Sequence, residues 1–329
     1  MTSSGVTELI EEGGTQQLDT SGPVVGEIAA RSPLELFWRR LREDTVALVS
    51  LGVIVFLTLI AICAPLVVEM VGAPKPSVQN SKALDEFGSA AAPNSQNILG
   101  TDDVGRDVFS RVVYGARASL TVAILATAIA MFLGVVAGMT AGFYRGWADS
   151  ILSRCLDVIL AFPVLLFAIG VGFACNTSEG CLGGALKPGI STVVFVIVVP
   201  TFPYFARIVR GQVLSLRERE FVEAARSLGA SGPRIMFREI LPNLIAPLIV
   251  YGTLIIPANI LFEAALSFLG VGIKEPNPSW GAMIADAAPI FDTAWWYMLF
   301  PGLALLTTVL AFNLLGDGLQ DALNPRTGR

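Results

Sequence analysis

Six stretches of the chain contain no Asp, Glu, Lys or Arg: 45–68, 118–144, 158–178, 188–206, 240–262 and 293–316. Their lengths are 24, 27, 21, 19, 23 and 24 residues. Each suffices for a transmembrane helix, since a hydrocarbon core of about 30 Å takes about 20 residues at a rise of about 1.5 Å. The next longest uncharged run, 87–101, has 15 residues rich in Ser, Asn, Gly and Pro and reads as a loop. The pattern predicts an all-α polytopic membrane protein with six transmembrane helices. The first run begins only at residue 45 and exceeds a signal-peptide core of about 7 to 15 residues, so the first helix is expected to remain as an anchor.

Between the fourth and fifth runs the pattern becomes amphipathic. From Val213 to Leu228, the residues Leu214, Phe221, Val222, Ala225 and Leu228 recur at helical intervals, and Arg217, Glu218, Arg219 and Glu220 fill the remaining surface. Gly229 is placed to end this helix in a left-handed cap. Ser231 and Pro233 are placed to start a second helix, and Pro242 to close it where the membrane resumes. The outcome is a charged elbow. One reading lays it on lipid headgroups; the other presents Glu223, Ala224 and Ala225 to a partner that approaches closely over small side chains.

Composition agrees with the bilayer as solvent: 53% hydrophobic residues, 15% charged and a mean hydropathy of +0.66. The chain has no histidine, which excludes a Ser-His-Asp triad, a Cys-His pair and any imidazole metal ligand. A Gly-x4-Gly-Lys-Ser/Thr phosphate loop is also absent from the sequence, so ATP, if it drives this protein, binds to another chain. No catalytic residue, metal, cofactor or nucleic-acid partner is expected for the chain itself. The net charge of -5 equals the charge of residues 1 to 30, where Glu8, Glu11, Glu12, Asp19 and Glu27 meet no Lys or Arg. Residues 1–32 read as a disordered acidic arm.

Of the 22 Lys and Arg, 15 fall on the side of the N-terminus and 7 on the other, which orients both termini toward the cytoplasm. The exception is the first outer segment, where Arg106, Arg111 and Arg117 precede the second span. Trp295, Trp296 and Tyr297 are expected at the outer interface, and Trp38 and Trp147 at the inner one. Cys175 and Cys181 flank Asn-Thr-Ser-Glu-Gly in an outer loop, where thiols oxidise. A disulfide there would be worth about 2 kcal/mol in the chain-entropy model; two free thiols are the alternative. Cys63 and Cys155 read as small apolar packers. Gly134, Gly138, Gly142 and Gly146 mark one stripe of the second span and predict a close helix contact. Pro163, Pro200, Pro203, Pro247 and Pro257 invite kinks. Asp157 and Glu263 sit near opposite margins of the hydrocarbon, and neither reaches mid-depth. That argues against an ion-coupled secondary carrier, whose coupling site sits near the midplane. A nontransporting scaffold is a third possibility.

The segment Glu223-Ala224-Ala225, Gly229 and Ile240-Leu241-Pro242 resembles the cytoplasmic signature loop of the membrane subunits of binding-protein-dependent ABC importers, with Glu239 where that family usually has isoleucine. Three segments are similar to the C-type subunit of dipeptide, oligopeptide or nickel importers. They are Leu99 to Arg111, Glu263 to Gly272 with Pro278-Ser279-Trp280-Gly281, and Asn313 to Leu319 with Asp321 and Asn324-Pro325-Arg326. The resemblance covers about residues 33–326 and implies a type I importer transmembrane domain. It implies an anchor helix and extracytoplasmic loop over 33–117, a transmembrane domain over 118–316 with the coupling elbow at 210–242, and a cytoplasmic tail over 317–329. It further implies a homologous second permease subunit, two cytoplasmic ATPase subunits that bind ATP and Mg, an extracytoplasmic substrate-binding protein, and a peptide cargo with nickel as the alternative. Physical readings stand beside it: Asp107 and Arg111 have the i, i+4 spacing of a helical ion pair on an interfacial helix, Ser267 to Gly272 reads as a buried turn, and Asp317 and Asp321 lie one turn apart at the inner mouth.

Overall fold

The computed structural model describes residues 33–175, 180, 181, 184 and 186–323, with side chains from residue 37 onward. The acidic arm over 1–32 and the Asn324-Pro325-Arg326 motif lie outside the described residues. Twelve helices follow in order among the described residues: α1 Pro33–Glu43, α2 Thr45–Ile62, α3 Ala64–Val71, α4 Val108–Tyr144, α5 Gly146–Ala161, α6 Val164–Ala174, α7 Ile190–Leu216, α8 Glu220–Ser227, α9 Gly232–Arg234, α10 Leu241–Phe268, α11 Trp280–Ala287 and α12 Trp295–Leu323. Five of the spans are long and apolar enough to cross a membrane, and a sixth arises if the bent pair α5–α6 counts as one.

That bent pair corrects the third predicted crossing. α5 and α6 meet at 82° across Phe162 and Pro163. Pro163 disfavours the helical conformation in the residue before it, and Phe162 is extended at φ -80° and ψ 134°. By contrast Pro200, Pro203, Pro247 and Pro257 lie inside continuous helices.

The second span is longer than its uncharged run because it starts at an N-cap rather than at the hydrocarbon margin. Asp107 accepts from the Ser110 backbone N–H at 2.8 Å and opens α4, whose 37 residues extend about 55 Å. This replaces the expected Asp107–Arg111 ion pair. Three of the four stripe glycines make the predicted helix contact: a Cβ at Gly134 would overlap the Phe205 side chain, one at Gly138 would sit 2.5 Å from the Ala206 carbonyl, and one at Gly142 would sit 2.9 Å from Val213 Cβ. α4 and α7 therefore touch backbone to backbone. Gly146 departs from the stripe; it lies past the end of α4 at φ +63° with open space around it. Gly316 and Gly318 of α12 admit Leu254 of α10 and Ala47 of α2 in the same manner.

The described ends of the chain and the elbow lie at one end of the bundle, where Leu41, Ala47, Val250 and Leu319 share a cluster. At the opposite end the loops after α3 and α10 close on buried charge. Arg111, fully buried, lies 3.6 Å from Asp102, 3.0 Å from Glu275 and 3.7 Å from Asp286; Arg106 lies 2.5 Å from Asp102 and 2.7 Å from Glu275. Desolvation lowers and the facing carboxylates raise the Arg106 pKa, and the net direction is upward. Trp296 and Tyr297 are buried here rather than interfacial: Trp296 Nε1 donates to the Thr101 carbonyl at 3.1 Å and Tyr297 Oη donates to Asp286 at 3.3 Å. Trp295, Trp38 and Trp147 remain exposed. Cys175 and Cys181 are joined, with Cα atoms 4.8 Å apart. Cys155 is exposed rather than packed, and Cys63 is half-buried.

Candidate functional site

The elbow is built differently from the sequence pattern. The expected helix from Val213 to Leu228 is broken, because α7 runs out at Leu216 and α8 starts only at Glu220. The break is fastened to the neighbouring helix ends. Arg217 Nη1 donates to the Phe143 carbonyl at 2.6 Å, supplying one of the acceptor-only groups at the end of α4 with a donor. Burial, and then the nearby Arg145, lower the pKa of Arg217. Arg145 in turn pairs with Glu218 at 2.7 Å. Arg210 holds Asp149 with two hydrogen bonds, at 2.5 and 2.8 Å, and Arg207 holds Asp157 at 2.6 Å, so the margin acid Asp157 is tied to α7.

α8 carries Glu220 and Glu223 in its first turn and Arg226 in its last, the arrangement that suits the helix dipole. Its single fully buried side chain, Val222, enters the main core with Ile235, Met236 and Ile240. At the far end Gly229 adopts φ +79°, its N–H donates to Arg226 and the N–H of Ala230 donates to Ala225. Those two bonds make a Schellman cap, the left-handed ending that the glycine predicts. Glu223 and Ala224 are exposed, and a Cβ at Gly229 would meet no atom within 4 Å. Ala225 turns inward and packs on the core instead of facing out.

Exposed apolar residues complete the surface. Leu228 is 88% exposed, Phe237 63% and Phe221 39%, all on or beside the elbow. The sequence pattern places Leu228 and Phe221 on the inward face of one long helix. The break at residues 217–219 rotates them outward. Pro242 does not close the second arm: Ile235–Ile240 forms a π-helical stretch, Leu241 continues it, and Gly232–Phe268 runs as one 37-residue span. Pro242 sits in the first turn of α10, where its missing N–H costs little. The second arm of the elbow is thus a direct extension of α10, and the turn from Leu228 to Ser231 joins it to α8.

Glu263 and Asn259, one turn apart on α10, are legible in the sequence only as a margin acid and as nothing in particular. Glu263 is fully buried and accepts from Ser119 at 2.9 Å and Ser267 at 2.7 Å. Asn259 donates to Thr127 at 2.8 Å and faces the Thr201 hydroxyl at 3.4 Å, so α10 is joined by polar side chains to both α4 and α7. Asp317 and Asp321 are exposed at the elbow end of α12.

Comparison with known sequences then decides the family. The profile of the binding-protein-dependent transport system inner membrane component matches residues 130–329, and that of the N-terminal TM domain of oligopeptide transport permease C matches residues 32–85. The chain belongs to the binding-protein-dependent transport inner membrane components. It is 40% identical over 306 residues to the dipeptide transport system permease protein DppC of Alkalihalophilus pseudofirmus, covering 93% of this chain and 94% of that one. It is 38% identical over 304 residues to the glutathione transport system permease protein GsiD of Pectobacterium atrosepticum, covering 92% and 95%. A putative peptide transport system permease protein of Brucella abortus is 38% identical over 296 residues, covering 90% and 93%. Among solved structures, the inward-facing MetNI methionine ABC transporter has a chain that superposes with a TM-score of 0.54 at 17% identity, covering 66% of this chain and 97% of that one. The fold is that of a type I ABC importer transmembrane domain. As a permease of this family the protein is an inner-membrane transport component that works with ATPase and binding-protein subunits.

Proposed function

We propose that this chain is the non-catalytic permease subunit of an ATP-driven importer that moves peptides across the bacterial inner membrane, supplying half of the path and coupling to two cytoplasmic ATPase subunits. A homologous permease subunit supplies the other half, and an extracytoplasmic binding protein delivers cargo. ATP and Mg belong to the ATPase partners. The termini and the elbow face the cytoplasm.

The observation that carries the coupling role is the elbow itself: an apolar, glycine-capped tip exposed to solvent, rooted through Val222 in the core beside Ile235, Met236 and Ile240 of the arm that runs on into α10. Closure of an ATPase dimer around Phe221, Leu228 and the Glu223-Ala224 turn would move that tip, and its packing through Val222 on Ile235, Met236 and Ile240 would pass the motion to the helix that carries Asn259 and Glu263. Such a push biases a two-state packing of α10 against the α4–α7 pair. Glu223 supplies a polar contact, while Ala224 and Gly229 leave room for the partner. The names of its relatives support peptide as the cargo class, with glutathione, itself a tripeptide, as the more specific case and chelated nickel as the alternative.

The test is co-purification of the assembled complex followed by ATPase assays with the binding protein and a dipeptide, glutathione or nickel chelate. Stimulation by dipeptide or glutathione is expected. Transport by the purified single chain driven by an ion gradient would remove the proposal.

A further inference from the structure

The three outer arginines that run against the charge tally have different fates. Arg106 and Arg111 are neutralised inside the protein by Asp102, Glu275 and Asp286. Arg117, on the next turns of α4, is exposed and has no ion pair or hydrogen bond among the described residues. It stands at the head of a groove of about 430 Å³ between α2 and α4. The α4 wall runs from Arg117 through Leu120 and Ile124 to Ala128 at intervals of three and four residues, and the α2 wall presents Ala61 and Ile62. The eleven rises from Arg117 to Ala128, at about 1.5 Å each, give a length of about 16 Å, half of a hydrocarbon core of about 30 Å. The groove therefore starts at one headgroup region and ends near the midplane.

We propose that this groove holds one phospholipid from the leaflet opposite the elbow, with an acyl chain along Leu120, Ile124 and Ala128 and the phosphodiester on Arg117. A headgroup of net negative charge is favoured, since a headgroup ammonium would already neutralise the phosphate that Arg117 attracts. A helix of the partner permease fits the groove poorly. Helix contacts in lipid depend on small residues, whereas Ile62 and Ile124 stand out from these walls. The site is independent of the cargo and of the coupling role.

The experiment uses the assembled complex exchanged into nanodiscs of phosphatidylglycerol and phosphatidylcholine, with retained lipid counted by native mass spectrometry. Wild type and Arg117→Lys are expected to retain phosphatidylglycerol selectively. Arg117→Gln is expected to lower its occupancy about fivefold, the worth of one basic residue at an anionic headgroup. Thr121→Trp, which fills the groove from an exposed position and keeps the charge, is expected to lower it as well. Should Arg117→Gln fail to assemble, Thr121→Trp decides. Equal retention in all variants, or displacement of the lipid by inorganic phosphate, would overturn the proposal. So would a photoreactive residue at position 124 that captures the second permease instead of lipid.

Discussion

Gly229 separates backbone strain from steric access at the elbow. Its φ of +79° places it in the left-handed region, which costs a residue with a Cβ about 1–2 kcal/mol and a β-branched residue more. Relaxing that strain means leaving the conformation and giving up the two cap hydrogen bonds, each worth about 1 kcal/mol. Gly229→Val should therefore shift the local equilibrium of the cap by about 2–3 kcal/mol, a factor of roughly 30 to 150. Because Val222 and not Gly229 anchors α8, insertion and assembly should survive. The assay is cargo uptake and ATP hydrolysis by the same proteoliposomes, reported as their ratio. Gly229→Val is expected to lower uptake per ATP at least about tenfold, which asks for only about 1.4 kcal/mol of that shift. Gly229→Asn is the control, since asparagine tolerates the left-handed region but adds a side chain where this protein leaves open space. If the partner must approach closely, Asn uncouples too; if only the cap matters, Asn behaves as wild type. Normal uptake per ATP in Gly229→Val would refute the coupling assignment.

Gly138→Leu should abolish recovery of monodisperse complex, because its Cβ alone would press on the Ala206 carbonyl, whereas Gly170→Leu, which has open space, should not. Arg111→Met removes the cation that Asp286 faces and one of the two that Asp102 and Glu275 share with Arg106, and should lower the unfolding temperature by an amount that corresponds to about 1.5–3 kcal/mol, with Arg111→Lys recovering part of it. Removing one partner of a charge-assisted hydrogen bond costs about 1.5–3 kcal/mol, so Arg217→Gln should destabilise the α4 end and lower uptake, with Arg217→Lys recovering part of it. Cys175→Ser with Cys181→Ser should lower the unfolding temperature by an amount that corresponds to about 2 kcal/mol and leave ATPase coupling unchanged.

Periodicity and charge reveal what depends on single residues or on one helix at a time. The uncharged runs locate five of the spans and only the second half of the bent pair, glycine spacing locates the face of α4 that packs closely on another helix, and Gly229 locates its own cap. What stays hidden depends on pairs of residues far apart in the chain. Arg106 and Arg111 look like a topological anomaly until Glu275, more than 160 positions away, is seen beside them. The i, i+4 spacing of Asp107 and Arg111 misleads for the same reason: the nearer claim on Asp107 is the start of α4, and the stronger claim on Arg111 comes from another loop. Prolines divide by context. Pro163 breaks a span whose preceding residue becomes extended, while Pro242 is absorbed by a first turn that needs no N–H from it. Residue type is read directly along the chain, and only packing decides which of these outcomes is reached.

The packing separates two bodies that a coupling stroke could move against each other. α4 and α7 are locked, since Gly138 and Gly142 bring the backbones so close that one helix cannot slide without displacing the other, and Arg217 ties their ends. α10 belongs to the second body with α12 and α2, through Gly316 against Leu254 and Gly318 against Ala47. Between the bodies the close contacts near the opposite end are polar and adjustable: Asn259 to Thr127 and Thr201, and Glu263 to Ser119. Hydroxyl and amide partners can be exchanged by rotamer changes, whereas interlocked glycine faces have no second register nearby. The elbow leaves α7 at residues 217–219 and enters α10 through its second arm, so force at its tip reaches both bodies, and the adjustable contacts between them are the ones that can yield. A stroke that instead parted α4 from α7 would have to separate backbones in contact at Gly134, Gly138 and Gly142.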